Sequence, residues 1–565
     1  MKRIIFIFSL VILLTIGCRA EASEVGDVLD FNVDPNYDMS ARAEIETTLI
    51  KTSSKLYFFI DKNWWSQQNN YQQSGIVNNL EVLAQEFERK IYPTLTTVFG
   101  SERKPGIDGD ERITILFHPM REGAGGYFRV VDEYLRLQSP ESNEREMVYL
   151  STAQIENPQL KSFLAHEFVH LVTFNQKDKT LGVSEEIWLN EARAEYAPTL
   201  LGYDDVYEGS NLQHRVKNFL DEPSDSLTEW QNKKSDYGVL NIFTQYLVDY
   251  YSLNILADSL KSQKTGILSI NEALSKNGFM TDFSKIFTDW NIAVLLNDCS
   301  VGPKYCYLNK NLKNLRVSPV INFLPLVGKS TLSVTNITKN WSGNWQKVIG
   351  GNGVLTLEFV GLAGLNFKVP YVIQNASENY SINFLTLDKN QGGEVSVSDF
   401  GTTYRTLIIL PSLQTKTSGF DGIESTYPFT ITVSVAENTP NQEELIKKLL
   451  AQISFLQQEI VKTQAQLDIA LGKTTFSCRI IQNNLYLGMR NNPEVRCLQE
   501  FLKSQGQEIY PEGIISGNFL SLTRAAAIRF QEKYASEILL PFGLTNGTGF
   551  VGQKTLAVIN RLLGL

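Results

Sequence analysis

Histidine is scarce in this chain, with four in 565 residues, and cysteine is nearly as rare at five. So few cysteines exclude a disulfide-built scaffold, so folding must rest on hydrophobic cores. Basic charge is also in deficit: 52 lysines and arginines face 61 aspartates and glutamates, giving a net charge of −9 and a pI near 5.3. With no compact basic patch, nucleic acid is excluded as a partner, because phosphate binding needs a basic surface. No apolar run reaches the roughly 18 residues needed to cross a bilayer. What is present is length and 43% apolar residues, enough for three or four globular domains.

The amino terminus has the layout of a secretory signal over residues 1–22. Lys2 and Arg3 precede the apolar stretch from Ile4 to Ile16, and small and polar residues follow. Thr15-Ile16-Gly17-Cys18 suits a lipoprotein signal with Cys18 lipidated, whereas Ala20-Glu21-Ala22 suits ordinary signal peptidase. Both readings predict an exported chain, held to a membrane only through a lipid on Cys18 if at all. The remaining cysteines lie close enough in sequence to pair as Cys299 with Cys306 and Cys478 with Cys497, as an oxidising compartment allows.

Two of the four histidines fall in His166-Glu167-Phe168-Val169-His170, inside an apolar helical stretch. Residues four apart share a helix face, so His166 and His170 can present two imidazole nitrogens to one metal ion. Catalytic zinc takes three protein ligands and keeps one position open, and Glu191 in Trp188-Leu189-Asn190-Glu191 is the expected third ligand. Glu167 is placed to act as general base and acid on a zinc-activated water. Glu195, one turn beyond Glu191, is expected to orient a histidine ring from behind, with direct ligation as the alternative. His118 and His214 have no ligand-like spacing and are read as packing or surface residues.

These motifs resemble the gluzincin metallopeptidases, closest to the hyicolysin-like family, over about residues 59–293. The matching pieces are His166 to His170, Trp188 to Tyr196, Gly125-Gly126-Tyr127-Phe128, Asn143-Glu144-Arg145-Glu146 and Ser235-Asp236-Tyr237-Gly238, in that order. Ala192 departs from the glycine usual after the glutamate ligand. The resemblance implies an α+β zincin domain over residues 40–310 and one Zn2+ on His166, His170 and Glu191. It also implies Glu167 as base or acid and Tyr237 as oxyanion stabiliser, although Tyr237 heads an aromatic helix where packing alone explains a tyrosine. Ile113 to Phe117 is the strand it suggests for holding an extended substrate at a sheet edge. Asp108-Gly109-Asp110, just before it, reads as a turn, with Ca2+ binding as the lesser alternative.

Beyond the peptidase, residues 317–437 alternate in strand fashion, as in Leu355-Leu357-Phe359, and predict an all-β sandwich. Its expected role is structural, ahead of substrate binding. Residues 441–472 carry Leu445, Leu449, Ile453, Leu456 and Ile460 at helical intervals, suiting a coiled coil or a solvated linker. Residues 478–565 resemble the small all-α peptidoglycan-binding domain through Leu498, Gln499, Gly513, Gly517, Thr523, Phe530, Gln531, Gly552 and Thr555, among others. Peptidoglycan is thus an implied partner beside a protein or peptide substrate. The expectation is an envelope-associated zinc endopeptidase. A peptidoglycan stem-peptide hydrolase of the same mechanism and a non-catalytic wall-anchored scaffold are the alternatives.

Overall fold

Six strands form a mixed sheet in the order β1 (Val28–Asn32), β2 (Glu44–Thr52), β3 (Leu56–Asp61), β4 (Ile113–His118), β6 (Met147–Ser151), β5 (Gly126–Tyr127). The strands β3, β4 and β6 run parallel and are buried along their whole length, which is why they read as continuous apolar runs. The computed structural model describes residues 23–326, 328–435, 442–470 and 480–563; the signal segment, Cys18 and Cys478 lie outside them.

The sheet corrects one expectation. Ile113–His118 is no edge strand, since it pairs with β3 on one side and β6 on the other. The sheet's edges are β1 and the two-residue β5, which is antiparallel to β6. Asp108-Gly109-Asp110 forms the expected turn, and its carboxylates are engaged within the protein. Asp110 accepts from the Tyr57 hydroxyl at 2.6 Å and pairs with Arg112 at 3.0 Å, while Asp108 caps the Asp110 amide at 2.9 Å and faces Arg145 at 3.8 Å. Arg112 and Arg145 thus face the two aspartates of the turn.

The chain divides into two compact units. The first comprises Met1–Gln213, Tyr250–Phe283 and Thr417–Phe420; the second comprises His214–Asp249, Ser284–Lys416 and Asp421–Leu565. The expected boundary of the catalytic domain at residue 310 is therefore not where the packing divides. In the second unit an aromatic cluster of Phe219, Phe243, Phe287, Trp290 and Trp341 joins helices from residues 214–249 and 284–296 to the strands that follow. Such large buried rings fix the partition more strongly than sequence proximity does.

The β-rich region of the second unit has nine strands in two largely antiparallel groups, joined only by the single parallel pair Phe400 with Tyr404, and a separate two-stranded sheet of Phe367–Lys368 with Ser412–Leu413. Leu355, Leu357 and Phe359 from one group and Leu407, Ile409 and Val348 from the other meet in a single core. The helix Gln442–Ala470 is a single rod, as its periodicity predicts. It is not a free linker: Glu459 ion-pairs with Lys347 of the sheet, and Gln452 is 9% exposed. Ile446, Leu450, Ile453 and Ile460 face solvent.

The carboxy-terminal region has its own core around Leu498, Phe501, Phe519, Phe530 and Ile559. Two buried glutamines clamp it in the same way. Gln499 donates to the Asn518 carbonyl and Thr523 Oγ1 and accepts from Gly517 N, and Gln531 donates to the Phe550 carbonyl and Thr555 Oγ1 and accepts from Gly549 N. Gly517 and Gly549 sit at φ +72° and +74°, a region that favours glycine. Cys299 is disulfide-bonded to Cys306, and Cys497 is disulfide-bonded as well. Among the described residues no helix is long and apolar enough to cross a membrane.

Candidate metal centre

The helix Leu160–Thr173 carries His166, Glu167 and His170, and the helix Ile187–Leu200 carries Glu191 and Glu195, all within the first unit. The first helix is buried on nearly every side because apolar Leu164, Ala165, Phe168, Val169, Leu171 and Val172 surround the polar positions. Polar side chains survive in such a helix only when they are paired or serve a ligand.

The two Nε2 atoms of His166 and His170 approach to 3.1 Å. Glu191 places Oε2 3.3 Å from His166 Nε2 and Oε1 3.6 Å from His170 Nε2. A tetrahedral zinc site with bonds of about 2.0–2.1 Å has ligand-to-ligand edges of roughly 3.3 Å, so these spacings fit one small ion. Glu191 Oε2 is also a buried oxygen with no hydrogen-bond partner. His166, His170 and Glu191 are one of two groups among the described residues whose donors converge closely enough to hold a metal.

Behind the ligands, Glu195 Oε1 lies 3.3 Å from His166 Nδ1, and Asn211 Nδ2 donates to Glu195 Oε2 at 3.2 Å. Glu195 thus touches the ring nitrogen that faces away from the convergence point, the position of an orienting group rather than a ligand. Burial works against protonating His166, but Glu191 and Glu195 outweigh it and hold its pKa well above the ordinary imidazole value. In His170 burial wins over the attraction of Glu191, and the pKa falls. Burial also raises Glu167, to about 8, with repulsion from Glu191 and Glu195 adding to it and His166 opposing.

Gly126 of β5 lies against Glu167. A Cβ there would stand 2.7 Å from the Tyr149 carbonyl and 3.1 Å from Glu167 Cγ, so only glycine lets the edge strand come this close. Gly125 leaves similar room for the Phe163 ring, at 2.6 Å. Tyr127 beside it donates its ring to a stack on Tyr149 and its hydroxyl contacts His118 Nε2 at 3.0 Å. His118 is fully buried and also meets Asp38 at 3.2 Å, so it is a packing residue, while His214 is exposed.

The two helices that carry the candidate ligands are tied by a buried charge cluster that sequence reasoning missed. Glu185 pairs with Lys177, just past the first helix, at 3.3 Å and with Arg193 of the second at 2.9 Å. All three side chains are 2% exposed or less. Arg193 also donates to Ser259 Oγ and the Leu256 carbonyl.

Tyr237 belongs to the second unit. Its hydroxyl donates to Asn232 Oδ1 at 2.9 Å, its ring packs edge-on against Trp230, and the Arg215 guanidinium lies 4.6 Å from the ring centre.

No family model and no curated protein matches the sequence. Solved structures give faint likenesses. The pre-peptidase C-terminal domain of a Bacillus anthracis collagenase is 10% identical over 20% of this chain and 96% of its own, with a TM-score of 0.14. A family GH115 4-O-methyl-α-glucuronidase with specificity for decorated arabinogalactans is 8% identical over 57% of this chain and 51% of its own, with a TM-score of 0.13. At such scores neither bears on fold or activity. The chain is mixed α/β and multidomain.

Proposed function

We propose that the chain is an exported, envelope-associated zinc metalloendopeptidase of gluzincin type. The observation that carries this reading is the convergence of His166 Nε2, His170 Nε2 and the Glu191 carboxylate beside buried Glu167. Zinc held by these three ligands supplies Lewis acidity, lowering the pKa of a water towards ~7 and polarising a carbonyl.

The chain's own residues do the rest. Glu167 takes the proton of the attacking water and returns it to the leaving amine. Its raised pKa suits the donating step, and a cation nearby favours the ionised form needed for the accepting step. Glu195 fixes the His166 ring so that Nε2 faces Glu191. The edge strand β5 takes over the role first expected of Ile113 to Phe117: its free side can pair with an extended substrate segment beside Glu167. The family resemblance implies an oxyanion role for Tyr237, whose contacts to Trp230 and Asn232 within the second unit support packing.

The Cys299–Cys306 disulfide supports an oxidising compartment outside the cytosol. Peptidoglycan binding by the glutamine-clamped terminal domain and lipidation at Cys18 would each keep the enzyme at the envelope. The same terminal domain favours a second reading, hydrolysis of peptidoglycan stem peptides by the same residues. A non-catalytic scaffold is disfavoured, because ligands and base are all retained.

The deciding experiment is hydrolysis of unfolded casein by the zinc-loaded chain beside Glu167→Gln at matched zinc occupancy. A loss of roughly 10²-fold or more in the variant is expected, the scale of general acid–base catalysis. Absence of cleavage by both proteins despite bound zinc would overturn general proteolysis, and muropeptide digestion then tests the second reading.

A further inference from the structure

A second group of converging donors lies wholly in the second unit, far from the zinc ligands in sequence. Asp225 follows the helix Asn211–Asp221, Asp236 sits in the first turn of the helix Lys234–Tyr251, and Glu424 precedes the strand Thr426–Val435. One oxygen from each lies within 4.8 Å of the other two. Asp225 and Asp236 are 0% and 2% exposed, and the Glu424 side chain is 5% exposed.

Each carboxylate is engaged through one oxygen, and Asp225 also hydrogen-bonds with Ser235 and lies in hydrogen-bond contact with Glu424. Lys339 Nζ donates to Asp225 Oδ1 at 2.5 Å and to Glu424 Oε2 at 2.7 Å. Asp236 Oδ2 accepts from Gln231 N at 3.0 Å and Lys233 N at 2.7 Å. Asp225 Oδ2, Asp236 Oδ1 and Glu424 Oε1 are buried without a hydrogen-bond partner. Carboxylate oxygens crowded together in a buried pocket are costly unless a proton or a cation completes them.

Three carboxylates face the partly exposed ammonium of Lys339, with the half-exposed Lys233 3.6 Å from Glu424. The pocket therefore keeps negative charge to spare. Its donors are all hard oxygens, with no imidazole or thiolate, which selects against zinc and for calcium or magnesium. Magnesium keeps several waters in a strict octahedron, whereas calcium tolerates irregular sites and a largely dehydrated shell. The frame is also prepared in advance. Glu229 accepts from the Asp421 and Gly422 amides at 3.2 and 3.1 Å and so holds the loop that delivers Glu424.

We propose that Asp225, Asp236 and Glu424 form a second metal site, which takes a calcium-class divalent cation and pins three distant chain segments together. The site is structural and is independent of the peptidase reading.

Terbium, a luminescent calcium substitute, is the probe, titrated into the full chain after zinc loading. Sensitised emission is expected, because Trp230 adjoins the Gln231 amide bound to Asp236, and Ca2+ should displace it. Equilibrium dialysis should find one Ca2+ per chain with zinc content unchanged. Asp236→Asn and Glu424→Gln, tested separately so that one misfolded variant does not decide the matter, should each weaken Ca2+ binding at least tenfold and leave zinc in place. At about a hundred times Kd, Ca2+ should raise the melting temperature of the wild type by roughly 5 °C. Overturning results are an absence of Ca2+ binding by the wild type, or binding that both folded variants retain. A wild type that ignores Ca2+ while Asp236→Asn gains stability would assign the pocket to a shared proton instead.

Discussion

At His166 the two ring nitrogens have separate duties, one facing Glu191 and the other Glu195. Glu195→Gln should lower zinc affinity by roughly 10- to 100-fold, the usual effect of removing an orienting carboxylate. Competition against a chromophoric chelator measures it, and an unchanged affinity would remove Glu195 from the site. Asp38 makes a second residue-level case. Burial pushes its carboxyl up, but hydrogen bonds from Arg42 and the Ser40 amide bring it down to about 2 from 3.8. A depressed acid stabilises the fold above its unfolded pKa and loses that contribution as pH falls through the folded one, here on the order of 2 kcal/mol at neutral pH. Urea unfolding of Asp38→Asn should show that deficit at pH 7, with the gap to wild type narrowing by about half between pH 5 and pH 3. A gap that stays constant would refute the assignment. The ligands were legible in the sequence because helix periodicity alone puts His166 and His170 on one face. The cluster of Asp225, Asp236 and Glu424 was not, because nothing local in a sequence announces that residues so far apart will meet.

Among the elements, the helices bearing the ligands owe their mutual placement to Glu185, which stands between Lys177 and Arg193. Removing one partner from a buried ionic cluster leaves charge uncompensated, a loss of about 3–5 kcal/mol. Glu185→Gln should therefore destabilise the first unit by that order and weaken zinc binding with it, as unfolding monitored by near-UV circular dichroism would register. A variant as stable as the wild type would show that Lys177 and Arg193 find other acceptors. Strand reading from sequence was sound for existence and poor for position. Ile113–His118 was recognisable as a strand from its apolar run, yet edge or interior status depends on which neighbours pair with it, and those lie at Leu56 and Met147. Two-residue β5 gave no periodicity to read; its only signal was the paired glycines, whose need appears once Phe163 and Glu167 are seen against them.

On the scale of the molecule, the proposed zinc ligands lie in one unit and the acidic cluster in the other. Heat unfolding with 1,10-phenanthroline, which extracts zinc and leaves calcium, should lower one transition by several degrees and leave the other in place. Glu191→Ala should make the chain insensitive to the chelator; a shift of both transitions together would mean the units unfold as one. The order of residues along the chain adds a matter of timing. The first unit requires Thr417–Phe420, whose Gly419 amide donates to Glu186 at the start of the helix bearing Glu191. At roughly 5–20 residues per second, about 10–40 s of synthesis separate the end of the unit's first segment from that last piece. During that interval the first unit lacks its closing contact, so the half that carries His166, His170 and Glu191 cannot be complete until most of the second unit has been synthesised.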